Sequence, residues 1–162
     1  MHPVAQKLLA YEQEIQYQSP PGEGEQDFLY LPGTLPALIT APHGAVHTRN
    51  GNPKEEDEYT ASITRYLGEE SSAHVLYAHR QSRYDPNYEP CPFRDKMRGI
   101  VNNTDVYFVL DIHGANKDRP FGVALGTMNG RSCPEHQDLL IETFHEFGFT
   151  IEYGNVLRTL SL

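Results

Sequence analysis

Two histidines stand directly before glycines at the ends of two apolar runs in the chain. His43-Gly44 follows residues 37–42, and His113-Gly114 follows residues 106–112. Runs rich in β-branched and aromatic residues are typical of buried strands. Ligands of open α/β sheets collect at the carboxyl ends of the strands. We therefore expect the two imidazoles to meet at one edge of a sheet.

An acidic segment, residues 55–58, offers a carboxylate that could join the two histidines. A catalytic zinc site needs three protein ligands and an open fourth position for water, and nitrogen and oxygen donors serve well. His43, Asp57 and His113 form such a set, and Glu56 is the competing carboxylate. The glycine after each histidine would let the imidazole and a substrate approach the backbone closely.

Asp111 lies two residues before His113, so alternation along a strand places both side chains on the same side. Its carboxylate could fix the tautomer of a ligand histidine, or it could make a plain structural hydrogen bond, and both interpretations stay open. We expect structural or surface roles for the other histidines singled out, which are His47, His74, His79, His136 and His145.

The elements that must position these residues alternate between strands and helices. Strands are predicted at residues 28–31, 35–41, 74–79, 106–112, 121–126 and 149–153, and helices at 4–16, 56–68, 94–102 and 135–147. The acids at 55–58 would favour the positive end of the second helix. This order predicts an α/β fold, namely a three-layer α/β/α arrangement around a mostly parallel or mixed central sheet, phosphorylase/hydrolase-like in kind.

The connections and the length complete the predicted organisation. A chain of 162 residues fits a single domain. Residues 1–18 are expected to carry a peripheral N-terminal helix, 19–27 a flexible connector and 28–162 an α/β hydrolase-like core. Residues 46–54 are predicted to be a polar loop. The long irregular segment 80–93 is of the kind that commonly carries function.

Composition limits the classes of function. The net charge of −9 argues against nucleic-acid binding, which needs a basic face. No run approaches the roughly 20 apolar residues of a membrane helix, and the N-terminus has no apolar signal core. Cys91 and Cys133 lie far apart in the sequence and give no disulfide framework. We therefore expect a cytoplasmic protein with no membrane partner.

Five groups of motifs occur in one order between about residues 36 and 130. They are Ala41-Pro-His-Gly-Ala, His47-Thr-Arg-Asn-Gly-Asn-Pro-Lys with Asp57-Glu-Tyr-Thr, Asp85-Pro-Asn-Tyr, Val109-Leu-Asp-Ile-His-Gly-Ala, and Arg119-Pro-Phe with Leu125-Gly-Thr. Together they resemble the N-formylglutamate amidohydrolase family, which belongs to the wider group shaped like zinc carboxypeptidases.

The resemblance implies one zinc ion and hydrolysis of an amide bond in a small acidic substrate. His43, Asp57 and His113 fall on its metal-binding motifs. The spacing Lys54-x-x-Asp57-x-x-Thr60 in the resembling pattern favours Asp57 over Glu56 as the carboxylate ligand.

The resemblance also suggests how substrate would be held. Arg49, together with Arg80 or Arg83, could bind a substrate carboxylate, because a guanidinium binds it through two parallel hydrogen bonds. Asn87, in the Asp-Pro-Asn-Tyr motif, is a further substrate-binding candidate. Members of the family continue further and carry a late glutamate as general base, so the chain resembles a C-terminally shortened copy. Glu152 is the candidate for that catalytic role here.

The resulting expectation is a zinc-dependent amidohydrolase that cleaves an N-acyl acidic amino acid such as N-formylglutamate by metal-activated water. Two alternatives remain at this point. One is a catalytically weak or inactive shortened domain that binds metal or a small acidic ligand. The other is a carboxypeptidase-like metallopeptidase.

Overall fold

The computed structural model describes residues 1–128 and 130–154. The chain divides into two compact units, Met1–Ala115 and Asn116–Leu162. The described residues form a mixed α/β fold with four helices and a mixed sheet, as the sequence predicts in outline. The three-layer arrangement and the single domain stay predictions.

Nine elements make up the first unit. In chain order they are α1 (Pro3–Glu12), β1 (Phe28–Leu31), β2 (Leu35–Ala41), β3 (His47–Arg49), β4 (Asn52–Lys54), α2 (Thr60–Ser71), β5 (Ala73–Ala78), α3 (Pro92–Asn103) and β6 (Phe108–Asp111). The four longer strands form one sheet in the order β1-β5-β2-β6. The strands β5, β2 and β6 are parallel, and β1 is antiparallel to β5.

Helix α2 and the two central strands form the core of this unit. Every residue of β5 is buried, which is the pattern of a strand covered on both faces. Ile39, Val75 and Tyr77 pack in one apolar cluster with Ala61 of α2. The backbone of α2 comes close to β5 at Gly68, where an added Cβ would lie 2.2 Å from Val75 Cγ1.

The N-terminal helix is shorter than predicted and is hydrogen-bonded to α2. It ends at Glu12, whereas the apolar spacing predicts a helix to residue 16. The Glu12 carboxylate accepts a hydrogen bond of 2.6 Å from the Ser62 hydroxyl of α2. Ile15, just past the helix, belongs to the apolar cluster.

The second helix begins at Thr60, so the predicted start near Glu56 is wrong. Tyr59 adopts a left-handed conformation with φ of 64°, which a helix cannot contain, and the helix therefore starts after it. The acids at 55–58 consequently precede the helix and do not line its first turn. This shift leaves Asp57 on a connecting segment, free to point away from the helix axis.

Residues 46–54 form a hairpin rather than a plain polar loop. Strands β3 and β4 pair antiparallel, with Arg49 opposite Asn52. Asn50 and Gly51 form the two-residue turn, with φ of 52° and 76°. Positive φ at both turn residues is the signature of the Asn-Gly hairpin, which gives the physical reason for the correction.

The second unit contains β7 (Val123–Gly126), α4 (Gln137–Glu146) and β8 (Ile151–Gly154). The two strands are parallel to each other, with Val123 opposite Ile151. These elements match the predicted strand–helix–strand order. Within the described part of the chain, no helix is long and apolar enough to cross a lipid bilayer.

Candidate metal centre

Three neighbouring parallel strands bring polar side chains to one edge of the sheet. Thr40 of β2 lies opposite Asp111 of β6, and Ile112 N–H donates a 2.8 Å hydrogen bond to the Thr40 carbonyl. His43 and His113 follow directly after these two strands. The segment that leaves β5 carries Asp85. Adjacent parallel strands end at the same edge, which is why segments distant in sequence meet there.

The three predicted metal ligands lie together at this edge. The Asp57 Oδ2 atom lies 3.7 Å from His43 Nδ1 and 3.3 Å from His113 Nδ1. Ligand atoms of the three residues all lie within 4.8 Å of one another. Donors bound tetrahedrally to zinc at about 2.0–2.1 Å are roughly 3.3 Å apart, so small side-chain movements would complete the geometry. The residues fit a zinc ion.

The ring planes of the two histidines are compatible with one shared ion. Their centroids are 5.0 Å apart and the planes are inclined by 63°. Two inclined planes intersect, and an ion on that line can lie in the plane of both imidazoles, where the nitrogen lone pairs point. The His113 and Asp57 side chains retain 14% and 23% of their exposure, so this side of the centre is accessible from solvent.

Asp57 is held at the centre by its own backbone and by Gly114. Its N–H donates a 2.9 Å hydrogen bond to the His43 carbonyl. A Cβ on Gly114 would lie 3.1 Å from Asp57 Cβ, so the glycine permits this approach. Glu56, the alternative carboxylate, is half-buried and lies outside the group of ligand atoms.

The electrostatics keep Asp57 ionised. Burial alone would raise the pKa of this carboxyl, but the hydrogen bonds with His113 and the Gly114 N–H, together with the neighbouring His43, outweigh burial and lower the pKa well below its usual value. An ionised carboxylate is the form that binds a cation.

Asp85 is completely buried and orients His43 from the other side. Its Oδ1 atom lies 3.0 Å from His43 Nε2 and also accepts a 2.9 Å bond from the Asn87 N–H. Burial opposes ionisation of Asp85, but the bonds with Arg49 and His43 prevail and lower its pKa. Since a carboxylate can only accept, His43 Nε2 carries the proton and Nδ1 is left unprotonated toward Asp57. A carboxylate behind a ligand histidine is common in metal sites.

A second group of possible ligands consists of His43, His47 and Asp85. The rings of His43 and His47 are stacked, with centroids 4.2 Å apart and planes only 7° from parallel. An ion in the plane of one ring lies well outside the plane of the other, so the two lone pairs cannot converge on it. The Arg49 guanidinium is also bonded to Asp85 Oδ2. Ring stacking and this positive charge both disfavour a cation here.

Asp111 makes the structural hydrogen bond that the sequence left open. It accepts from the Thr40 hydroxyl on the neighbouring strand. Burial raises the pKa of Asp111, and the nearby His113 and His43 oppose that rise. Among the described residues, the carboxylate bonded to a ligand histidine from behind is Asp85.

The predicted substrate-binding residues separate into two groups. Arg49 bonds to Asp85, and its guanidinium carbon lies 4.8 Å from the centre of the Tyr88 ring. Asn87 directly precedes Tyr88, and the buried side-chain oxygen of Asn87 has no hydrogen-bond partner among the described residues. Arg80 Nη2 lies 3.5 Å from Glu25 Oε2, and Arg83 is exposed. The structure therefore links Arg49 and Asn87 directly to the candidate centre.

Glu152 lies on β8 of the second unit, and its side chain is exposed. Its catalytic role stays a prediction. His74 is buried and accepts hydrogen bonds from Tyr30 and the Gly33 N–H, while His145 is exposed on α4, so both match the structural or surface roles expected for them.

Sequence reasoning assigned Asp85 no role and assigned His47 only the structural or surface role expected of the remaining histidines. The position of Asp85 in the irregular segment after a parallel strand is a signal that could have found it, because such segments end at the same sheet edge. His47 offers no equivalent signal. Its place depends on a tertiary contact of the preceding residue, because the Val46 carbonyl accepts a hydrogen bond from the Ser82 N–H of the segment that carries Asp85.

Comparison with known proteins found no match: no family model, no curated protein and no solved structure matches this chain.

Proposed function

We propose that the first unit binds one zinc ion through His43 Nδ1, His113 Nδ1 and the Asp57 carboxylate, and that the protein is a metal-dependent amidohydrolase. One observation carries this proposal: two imidazoles and one ionised carboxylate, far apart in sequence, converge within 4.8 Å at the carboxyl edge of parallel strands. Three protein ligands and an accessible side are the arrangement of a catalytic rather than a closed structural zinc site.

The chemistry of the proposed reaction divides between the ion and the side chains. A bound zinc ion would lower the pKa of a water molecule, so that the water could attack an amide near neutral pH, and would polarise the carbonyl group of that amide. Asp85 holds His43 in the tautomer that presents Nδ1. Asp57 and His113 complete the ligand set and leave the accessible side for substrate.

An acidic substrate is favoured by the arginine beside the centre. Arg49 is fixed through Nε by Asp85 and by Tyr88, whose ring it covers. A guanidinium held in this way is prepared to bind a carboxylate of the substrate, because less side-chain freedom is lost on binding. The proposed substrate is an N-acyl acidic amino acid of the N-formylglutamate type, in agreement with the motif resemblance. A cytoplasmic location remains part of the proposal.

The proposal is tested by metal content and by hydrolysis. Protein purified without an affinity tag is expected to hold or regain about one equivalent of zinc and to release formate from N-formylglutamate. His113→Ala should lose both properties. His145→Ala, which changes an exposed histidine of α4, is the matched control and should keep both. Less than about a tenth of an equivalent of zinc, with none regained on soaking, would refute the metal centre.

A second candidate function is metal binding without turnover. Asp57 and Asp85, the two carboxylates beside His43, have lowered pKa values and are already engaged, and Asp111 is bonded to Thr40. Neither Asp57 nor Asp85 is well suited to carry a proton during hydrolysis, since an effective base has a pKa near the working pH. Burial raises the pKa of Asp111, but its carboxylate is occupied by the Thr40 hydroxyl. Stoichiometric zinc without hydrolysis of N-formylglutamate or of peptides would favour this candidate. Hydrolysis of peptides alone would indicate the metallopeptidase.

A further inference from the structure

We propose that His47 is a positioning residue, whose ring holds the His43 ring in the plane where Nδ1 faces Asp57 and His113. The inference rests on the proposed metal centre and deepens it. It gives a role to a buried side chain that neither the ligand set nor the substrate candidates include.

The need for such a residue follows from the torsional freedom of histidine. Rotation of an imidazole about the bond to its Cβ has broad, shallow minima, so the surroundings must fix the ring plane. The hydrogen bond from His43 Nε2 to Asp85 fixes one nitrogen, but one bond still allows the ring to turn about the donor–acceptor line. A second restraint on the ring face is required to aim Nδ1.

His47 supplies a restraint of this kind. Its ring is parallel to that of His43 within 7°, with centroids 4.2 Å apart. His43 is only 5% exposed and His47 only 3%, so neither ring can turn into solvent. A parallel ring in van der Waals contact blocks tilting of its neighbour, because tilting would drive atoms of one ring into the other.

The nitrogens of His47 are not needed for this role. Its Nε2 atom has no hydrogen-bond partner in the described part of the chain and lies 3.7 Å from Asp85 Oδ2, and its Nδ1 atom lies 3.4 Å from the Ala45 carbonyl oxygen. The contribution of His47 is therefore the face of its ring. A phenylalanine, which has a ring of similar breadth, should replace it.

The backbone around His47 ties it to the segment that carries Asp85. Ser82 N–H donates a 2.8 Å hydrogen bond to the Val46 carbonyl, and the Thr48 hydroxyl lies 3.4 Å from the Ser82 carbonyl. The hairpin and the Asp85 segment therefore hold each other in place. The two restraints on His43 come from segments that support one another.

The test compares ring-bearing and ring-less variants in two measurements. Zinc affinity is measured by competition with a chelating dye, and the tautomer of His43 is read from two-bond proton–nitrogen correlations in metal-free protein at mildly alkaline pH. His47→Ala is expected to lose about tenfold in affinity or more and to show mixed tautomers, whereas His47→Phe stays within about twofold of the original protein. His145→Ala serves as control and should stay unchanged.

Each outcome decides the proposal. Original affinity and a single tautomer in His47→Ala would overturn it. A zinc affinity of His47→Phe as low as that of His47→Ala would also overturn the proposal, because a nitrogen of His47 would then be required. If His47→Ala does not fold, His47→Gln takes its place as the ring-less variant. If the original protein binds no zinc, the proposed function fails, and the tautomer comparison still decides whether His47 positions His43.

Discussion

Replacing Asp85 with asparagine separates the charge of this buried side chain from its shape. Asp85 accepts from His43 Nε2 and from the Asn87 N–H, and it pairs with Arg49. Hydrogen bonds to a charged group contribute about 1.5–3 kcal/mol and neutral ones about 0.5–1.5 kcal/mol, so each of the first two bonds should weaken by about 1 kcal/mol. Asp85 is fully buried but the Arg49 side chain is 30% exposed, so solvent screens this pair in part and its contribution is about 1 kcal/mol.

Asparagine carries no charge, so the cost of burying the Asp85 charge disappears and offsets part of this weakening. Asp85→Asn should therefore lower the free energy of unfolding by about 2 kcal/mol. Urea unfolding of the metal-free protein, followed by circular dichroism, gives that difference. Zinc affinity should fall by about 10- to 100-fold, because the support of a ligand histidine is removed.

Asp105→Asn is the matched control for the asparagine substitution. Asp105 is exposed, and its substitution should change stability by less than about 0.5 kcal/mol. An Asp85→Asn protein with unchanged stability and unchanged zinc affinity would refute the assignment of Asp85 as the group that orients His43.

Two further predictions concern the carboxylate ligand and the glycine beside it. Asp57→Ala should reduce zinc affinity by more than about 100-fold in a calorimetric titration, whereas Glu56→Ala should bind as the original protein does; the reverse order would make Glu56 the ligand. Gly114→Ala places a Cβ 3.1 Å from Asp57 Cβ and should weaken zinc binding by about tenfold. Gly99→Ala is the control, because a Cβ added to this residue of α3 would meet open space. It should leave zinc affinity unchanged and stabilise the fold by about 0.5–1 kcal/mol. Equal zinc affinity of the Gly114→Ala and Gly99→Ala variants would count against the crowding of Asp57.

The strands that deliver the ligands were predictable because their signal is local. Residues 35–41 form β2 within the predicted bounds, and β6 lies within the predicted run 106–112. Apolar runs of this length reflect burial, which depends little on the details of packing. The His-Gly pairs follow directly, so their place at the sheet edge comes with the strands.

What was missed depends on backbone conformation and on tertiary contacts. Helix α2 starts at Thr60 because Tyr59 adopts a positive φ, and the acidic residues before it do not predict this conformation. The hairpin at Asn50 and Gly51 was encoded in a recognisable turn sequence, whereas the stacking of His47 on His43 is a contact that this turn does not predict. The role of Asp85 appears only when three parallel strands are aligned, because its partner His43 is 42 residues away.

The most direct test of the metal centre is anomalous diffraction at the zinc edge from crystals grown with one equivalent of zinc. We predict one peak about 2.0–2.2 Å from His43 Nδ1, His113 Nδ1 and an Asp57 oxygen. A peak bonded to His43 Nε2 and Asp85, or no peak at any of these residues, would contradict it.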